Sequence, residues 1–310
     1  MRARPVTGRA LGLPGPLRGV LRGVLAGGVA AGLAAGLLVL PAVAAAPAEP
    51  SDPTVSGPAS GTAGSPSGDP NASADPSASA SVAAEPADPV AALPRVVRVG
   101  TSVQGREIVA RRLGNRNATR VVLVLGQIHG SEPAGRRVVS ALRRETAPRG
   151  VQIWTISTLN PDGARVGGRR NARGVDLNRN FPYNWLGSTG SRVTWPGPRP
   201  LSEPESKAAV RFLRVLRPDA ILSYHQPFGL IDVTGDKTRA WARKLARWIG
   251  LRPSVASCSG PCGGTLTGWY NATFPGWAIT VELPSYVSQD LVDRNVAAIL
   301  RVSTRIVDHP

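Results

Sequence analysis

The chain has little histidine, little cysteine and no second long apolar run. Three His and two Cys occur in 310 residues. Two cysteines allow at most one disulfide. With so few imidazoles, any metal centre built on His must use His129, His225 or His309. Beyond residue 48 no segment is long and apolar enough to span a bilayer. No nucleic-acid-binding module and no aromatic–basic platform is present, which argues against a nucleic-acid partner. Residues 45–93 contain no aromatic and no basic residue at all. Built from Ala, Pro, Ser, Gly, Asp and Thr, that segment cannot bury enough apolar surface to fold.

The amino terminus shows what is present instead. Residues 1–22 hold five Arg and no acid, and an uncharged run rich in Ala, Leu, Val and Gly follows to Ala48. Ala42-Val43-Ala44 is a small-x-small cleavage pattern, so residues 1–44 read as a signal peptide. No adjacent Arg pair precedes the run, so a twin-arginine route is not indicated. An uncleaved anchor is the alternative, disfavoured by the weakly apolar Ala and Gly and by Pro41. Cleavage would leave no stable membrane span. Residues 45–93 are expected to be a disordered spacer, with a pro-segment as the alternative. The expected location is extracellular or in the cell wall.

Residues 94–310 are long enough for one domain with a sizeable core. Of the 37 basic residues 32 lie here, with 14 of the 20 acids, so the domain carries +18. That charge suits anionic cell-wall polymers. Arg makes up 34 of the 37, however, which high-GC coding alone would produce.

Hydrophobic periodicity alternates strands and helices. Arg95–Val99 and Glu107–Leu113 read as a hairpin around Gly105. Strands are expected at 120–126, 151–159, 219–225 and 277–283, and helices at 134–145, 202–216, 237–249 and 287–308. Asn160-Pro161-Asp162-Gly163 is a turn signal. Ser202 with Glu205 makes a capping box. Residues 164–200 lack periodicity, and so long a loop in a compact domain is usually functional. The pattern implies an α/β domain with a mixed, mostly parallel central sheet and helices on both faces.

Two imidazoles and a carboxylate stand out. Val121–Leu125 is a five-residue apolar run, and Gly126-Gln127-Ile128-His129-Gly130-Ser131-Glu132 follows it. His129 and Glu132 therefore sit where a central strand hands over to a helix, the usual ligand site of open α/β sheets. His225 ends a second apolar run. Two His and one Glu form a known catalytic zinc set, with a fourth position left for water. Glu282 ends the strand beginning at Trp277, where an unused carboxylate is costly.

Taken together, His129-x-x-Glu132, Asn160-Pro161-Asp162-Gly163, Gly174-Val175-Asp176-Leu177-Asn178-Arg179-Asn180-Phe181-Pro182, Ser223-x-His225 and Thr280-Val281-Glu282-Leu283 resemble the zinc carboxypeptidase family, in that order and over about residues 95–307. Within it the chain looks most similar to the bacterial murein peptide amidases. Gly197-Pro198-x-Pro200-Leu201-Ser202-Glu203-Pro204-Glu205 and Pro227 carry that likeness.

The resemblance implies one zinc ion on His129, Glu132 and His225, with Glu282 as general base. It implies that Asp176 orients the first imidazole, that Asn178 and Arg179 grip a free carboxylate, and that Arg169, or Arg170 beside it, stabilises the oxyanion. A cis peptide is implied near Gln226-Pro227. Trp269 matches a family position, and Thr267 falls at the pocket floor, where a small polar residue disfavours a basic or large aromatic side chain. The family's flexible Tyr has no match by counting; Tyr270 is the nearest and, with Thr267, is implied to bind substrate.

The implied activity is hydrolysis of an amide next to a free carboxylate in a peptide or muropeptide, γ-D-glutamyl-diaminopimelate above all, by a monomer. A general carboxypeptidase is the second reading. A wall-binding module without activity is the third, and it predicts missing ligands. Cys258 and Cys262 are expected to form a disulfide that pins a short loop, with free thiols or a second metal site as the alternatives.

Overall fold

A computed structural model describes residues 89–256 and 262–306. The signal peptide, nearly all of the spacer, Cys258 and His309 lie outside the described residues.

The element order follows the alternation read from the sequence. A hairpin, β1 (Val96–Thr101) and β2 (Glu107–Gly114), leads into β3 (Arg120–Leu125), α1 (Ala134–Leu142), β4 (Val151–Ile156) and α2 (Pro161–Val166). A single 3-10 turn, Leu177–Arg179, precedes α3 (Pro204–Leu216). Then come β5 (Ala220–His225), β6 (Phe228–Asp232), α4 (Asp236–Ile249), β7 (Arg252–Ser254), α5 (Leu266–Thr273), β8 (Trp277–Pro284) and α6 (Gln289–Ser303).

The eight strands form one sheet in the order β1-β2-β4-β3-β5-β8-β6-β7. β4, β3, β5 and β8 run parallel at its centre, and antiparallel pairs flank them. Their apolar runs are continuous because both faces are covered. α1, α4 and α6 pack on one face, where Val138, Leu245 and Ile299 join Val122, Leu222 and Ile279. α3 and α5 cover the other, with Phe212, Leu213, Leu266 and Tyr270 against Leu123, Trp154 and Ile221.

The site owes its place to this topology. Strand order reverses about β3: β4 lies on one side and β5 on the other. The connections leaving β3 and β5 therefore diverge to opposite sides and open a crevice at the carboxyl ends, as in other open α/β sheets.

Some expectations need correction. Asn160 does not merely start a turn; its side chain accepts a hydrogen bond from the Gly163 N–H, capping α2. The capping box at Ser202 is absent. Helix α3 begins at Pro204 with Glu203 as an N-cap whose side chain makes no cap bond. Ser202 Oγ instead donates to Glu203 Oε1 and accepts from Asn180 Nδ2. Strands β6 and β7 and helix α5 were not anticipated. Each is short, and α5 combines Gly, Thr and Asn with aromatics, a poor helical composition. Its signal was Thr265, whose hydroxyl accepts from the Gly268 N–H.

Candidate active site

His129, Glu132 and His225 converge. His129 Nδ1 lies 2.9 Å from Glu132 Oε2 and 3.2 Å from His225 Nδ1. His225 Nδ1 lies 3.1 Å from the same Glu132 oxygen. All three side chains are buried. His129 and Glu132 come from the connection after β3, and His225 closes β5.

The donor set fits zinc. Zinc bonds of about 2.0–2.2 Å in a tetrahedron hold neighbouring donors about 3.4 Å apart. The three atoms sit close to that spacing. Without a cation they bring three lone pairs together, a costly arrangement in a buried site. Burial pushes the Glu132 carboxyl up, but the adjoining His129 and His225 imidazoles outweigh it and hold Glu132 well below the usual carboxylate range.

The tautomer of His129 is fixed from behind. Asp176, at the start of the 3-10 turn, lies fully buried with Oδ1 3.0 Å from His129 Nε2. Burial raises its pKa, yet the charge of His129 and its hydrogen bond bring it well below the ordinary value, so Asp176 is an acceptor. His129 Nε2–H therefore donates to Asp176, and the Nδ1 lone pair is left for the metal. Asp176 Oδ1 also accepts from the Asn178 N–H, which ties the 3-10 turn to this network.

Arg169 and Arg170 separate cleanly. Arg169 donates from Nη1 to Glu132 Oε1 at 3.0 Å and from Nε to Asp176 Oδ2 at 3.1 Å, and it lines the cleft. Arg170 is directed away, donating to the carbonyls of Gly174 and Arg192. Arg169 thus grips the ligand Glu132 and the orienting Asp176 in this state. An oxyanion contact would require it to release one of them.

Glu282 sits beside the ligands because β5 and β8 are in register: His225 and Glu282 are Cα partners. Burial first, then the negative charge of Glu132, pushes its carboxyl up to about 7. Glu282 Oε2 is buried with no hydrogen-bond partner among the described residues. A buried orphan acceptor at the rim of a metal site is placed to accept a proton.

These groups open into a cleft of about 1390 Å³. Asn178 and Arg179 line it. Asn178 Oδ1 accepts from the Leu266 N–H at 3.0 Å. Arg179 Nη1 donates to the Asn178 carbonyl, while its buried Nε has no partner and no described acid pairs with it. Burial lowers its pKa, and the nearby Asp176 offsets part of that. A 6 % exposed guanidinium that lines a cleft with no ion-pair partner among the described residues can bind a carboxylate. Thr267 lines the cleft too, its hydroxyl 3.4 Å from that of Thr280.

Tyr270 is not a substrate-binding residue. It is fully buried, stacks on Phe274, and donates its phenolic hydrogen to the Pro218 carbonyl. Along α5, Thr267 and Asn271 line the cleft, while Leu266, Trp269 and Tyr270 belong to the core. Trp269 packs against Phe181 there.

The Gln226–Pro227 peptide is cis. Gln226 then links the walls of the site: Oε1 accepts from the Ala134 N–H, and Nε2 donates to the Pro284 carbonyl. Cys262 lines the cleft, but residues 257–261, and with them the Cys258 half of the expected disulfide, lie outside the described residues.

Comparison with known proteins agrees with this geometry. Residues 87–240 match the zinc carboxypeptidase family model. The chain is 29% identical over 191 residues to murein peptide amidase A of Escherichia coli K12, spanning 57% of this chain and 76% of that one. It is 28% identical over 195 residues to the Vibrio campbellii protein of the same name, spanning 57% and 75%. Among solved structures, the murein-tripeptide amidase of Escherichia coli O157 aligns with a TM-score of 0.56 at 26% identity, over 70% of this chain and 94% of that one. Carboxypeptidase A of Helicoverpa armigera, at 20% identity and a TM-score of 0.57 over 68% of each chain, shares the fold. The chain belongs to the zinc carboxypeptidase family and is a zinc-dependent hydrolase of the peptidase and amidase kind.

Proposed function

We propose that the protein is an exported amidase that cuts the γ-D-glutamyl-diaminopimelate bond of peptidoglycan-derived peptides. The observation that carries this reading is the unpaired Arg179 guanidinium in the same cleft as the zinc ligands. It demands a substrate with a carboxylate close to the scissile amide. In a muropeptide ending in diaminopimelate, the carboxylate beside the γ-D-glutamyl amide satisfies that demand. The likeness to murein peptide amidases over about three quarters of their length supports the choice. Export rests on the signal-like residues 1–44, with residues 45–93 as a spacer. The high positive charge suits anionic wall polymers.

Each side chain then has a task. Arg179 and Asn178 hold the substrate carboxylate and fix the amide over the site. His129, Glu132 and His225 hold the zinc ion, which when bound polarises the scissile carbonyl and acidifies its water. Glu282 takes a proton from the attacking water and hands it to the leaving nitrogen. Asp176 keeps the His129 lone pair aimed. Arg169, freed from Glu132 or Asp176, is within reach of the negative oxygen as it develops. An intact ligand set weighs against a binding module without activity.

A general carboxypeptidase acting on α-linked L-peptides is the second reading, and the unpaired Arg179 serves it equally. The test compares turnover of L-Ala-γ-D-Glu-diaminopimelate with that of an L-Ala-L-Leu-type peptide, products being read by mass spectrometry with and without chelator. Faster turnover of the α-linked peptide overturns the wall-peptide reading. Turnover that survives metal removal overturns the hydrolytic scheme.

A further inference from the structure

Between α4 and the end of α6 lies a second hollow, of about 420 Å³, lined by Trp241, Lys244, Arg247, Trp248, Arg301 and Arg305. No acid lines it. Trp241, Lys244 and Trp248 are spaced i, i+3 and i+7, so they share one face of α4. Arg301 stands in the last turn of α6, and Arg305 in the turn beyond it. Read along the chain, the sequence shows no aromatic–basic platform; the packing of α4 on α6 assembles one. A cation in the last turn of a helix complements the helix dipole. That accounts for Arg247 and Arg301 one at a time, but not for four cations on one hollow.

The cations lean on rings, not on acids. Lys244 Nζ sits 4.3 Å from the Trp241 ring centre. The guanidinium carbons of Arg301 and Arg305 sit 4.6 and 5.6 Å from the Trp248 ring centre. The acids of the two helices are engaged elsewhere: Asp236 pairs with Arg239, Asp290 with Arg294, and Asp293 accepts from Gln289. A guanidinium stacked on a ring uses its flat face and keeps its N–H edge free for a phosphate. Four like charges without an acid also repel one another, a cost that a bound polyanion removes.

The hollow is remote from the metal ligands. Trp241 stacks on Trp277 at 5.7 Å with the planes 21° apart. Trp277 opens β8, and Glu282 comes five residues later, about 16 Å along the strand. Occupation of the hollow therefore leaves the catalytic cleft open.

We propose that this hollow is a docking site for a phosphodiester polyanion of the polyol-phosphate type, which holds the enzyme at the wall while the cleft works. Its lining contains no Leu, Ile or Phe to enter a bilayer. Its indoles are engaged by cations and by Trp277, not held open as a platform on which bases stack. What it offers is charge and N–H donors, the chemistry that grips phosphate. A single phosphate meets one or two of these cations, whereas a chain of diesters meets all four at once. The wall location rests on the proposed export; the demand for a polyanion rests on the hollow alone.

The test titrates the zinc-loaded protein into end-labelled poly(glycerol phosphate) at about 0.15 M salt, read by fluorescence anisotropy. Saturable binding is expected, much tighter than that of inorganic phosphate in competition. Arg301→Gln/Arg305→Gln should raise Kd about tenfold or more, two charge-assisted contacts being lost. Arg211→Gln/Arg214→Gln removes the same charge from exposed positions of α3 on the other face of the sheet, and should stay within about twofold of wild type because salt screens distant charges. Both variants should cut a soluble peptide as the wild type does, which shows that they are folded. Absence of saturable binding by the wild type overturns the proposal. So does an equal loss in the two double variants, which would assign binding to overall charge. Tighter binding of poly(U), or of phosphatidylglycerol vesicles, overturns it in favour of a nucleic acid or a membrane surface. If the γ-D-glutamyl peptide is not cut but the polymer binds through Arg301 and Arg305, the wall-peptide reading fails and this one stands.

Discussion

His225 and Glu282 are register partners on adjacent parallel strands, so one sheet contact fixes both a member of the metal-ligand set and the carboxylate beside it. Neither residue depends on a loop for its position. The sheet itself therefore holds Glu282 beside the three ligand residues.

Glu282→Gln is expected to keep its zinc and lose its activity. The amide fills the same space but accepts no proton from water. A drop of about 10²–10⁴ in kcat is the range for losing general acid–base catalysis. Metal content measured beside kcat separates the two effects. Wild-type turnover in this variant would remove Glu282 from the mechanism.

Asp176→Asn attacks the site from behind. Asn offers His129 Nε2–H a weaker acceptor and leaves Arg169 with Glu132 alone as a charged partner. Zinc affinity should fall by about 10–100-fold, as for other groups that orient a metal-bound imidazole. Competition against a chelator of known affinity reads this directly. Unchanged affinity would mean that the His129 ring is held by packing alone.

A third prediction concerns stability against pH. Asp162 is buried in α2. Burial alone would raise its pKa, but it accepts hydrogen bonds from Ser102 Oγ, the Gln104 N–H and Arg106 Nη1. The balance lowers its pKa below the ordinary value. The folded value thus lies below the unfolded one. The stabilisation is complete above the unfolded value, about 3.9, and is lost as pH falls through the folded value. Asp162→Asn should cost about 1–3 kcal/mol at pH 7, the price of buried partners left unmade. Denaturant titrations at pH 7 and at pH 3 should find the gap between variant and wild type shrinking on acidification. A gap independent of pH would mean that the charge is irrelevant.

Much of the centre was legible because its residues stand at strand ends. His129 and His225 follow apolar runs in a chain with almost no other His, and Glu282 ends a third such run. The central sheet was legible for a related reason: buried parallel strands are unbroken apolar runs. The long stretch 164–200 was expected to be functional; in the structure it brings Arg169, Asn178 and Arg179 to the cleft and Asp176 behind His129. What stayed hidden was the deep wall of the cleft. β6 is five residues long and begins immediately after the cis Gln226–Pro227 bond, so no run announces it. Likewise Arg169 and Arg170 are neighbours in sequence with nothing to tell them apart; the acceptors around them do so.

Tyr270 shows the same limit from the other side, and it yields the last prediction. From the sequence it is the nearest Tyr to the site and was expected to bind substrate. In the fold Tyr270 is fully buried on the flank of α5, stacked on Phe274. Its hydroxyl is spent on the Pro218 carbonyl. Tyr270→Phe should therefore leave kcat/KM within about twofold of wild type, while losing one buried hydrogen bond and about 1 kcal/mol of stability. Thr267→Val, on the cleft side of the same helix, should do the reverse and alter KM with little effect on unfolding. Parallel kinetics and thermal unfolding of the two variants check the orientation of α5. A large loss of turnover in Tyr270→Phe with stability unchanged would mean that the ring reaches the substrate after all.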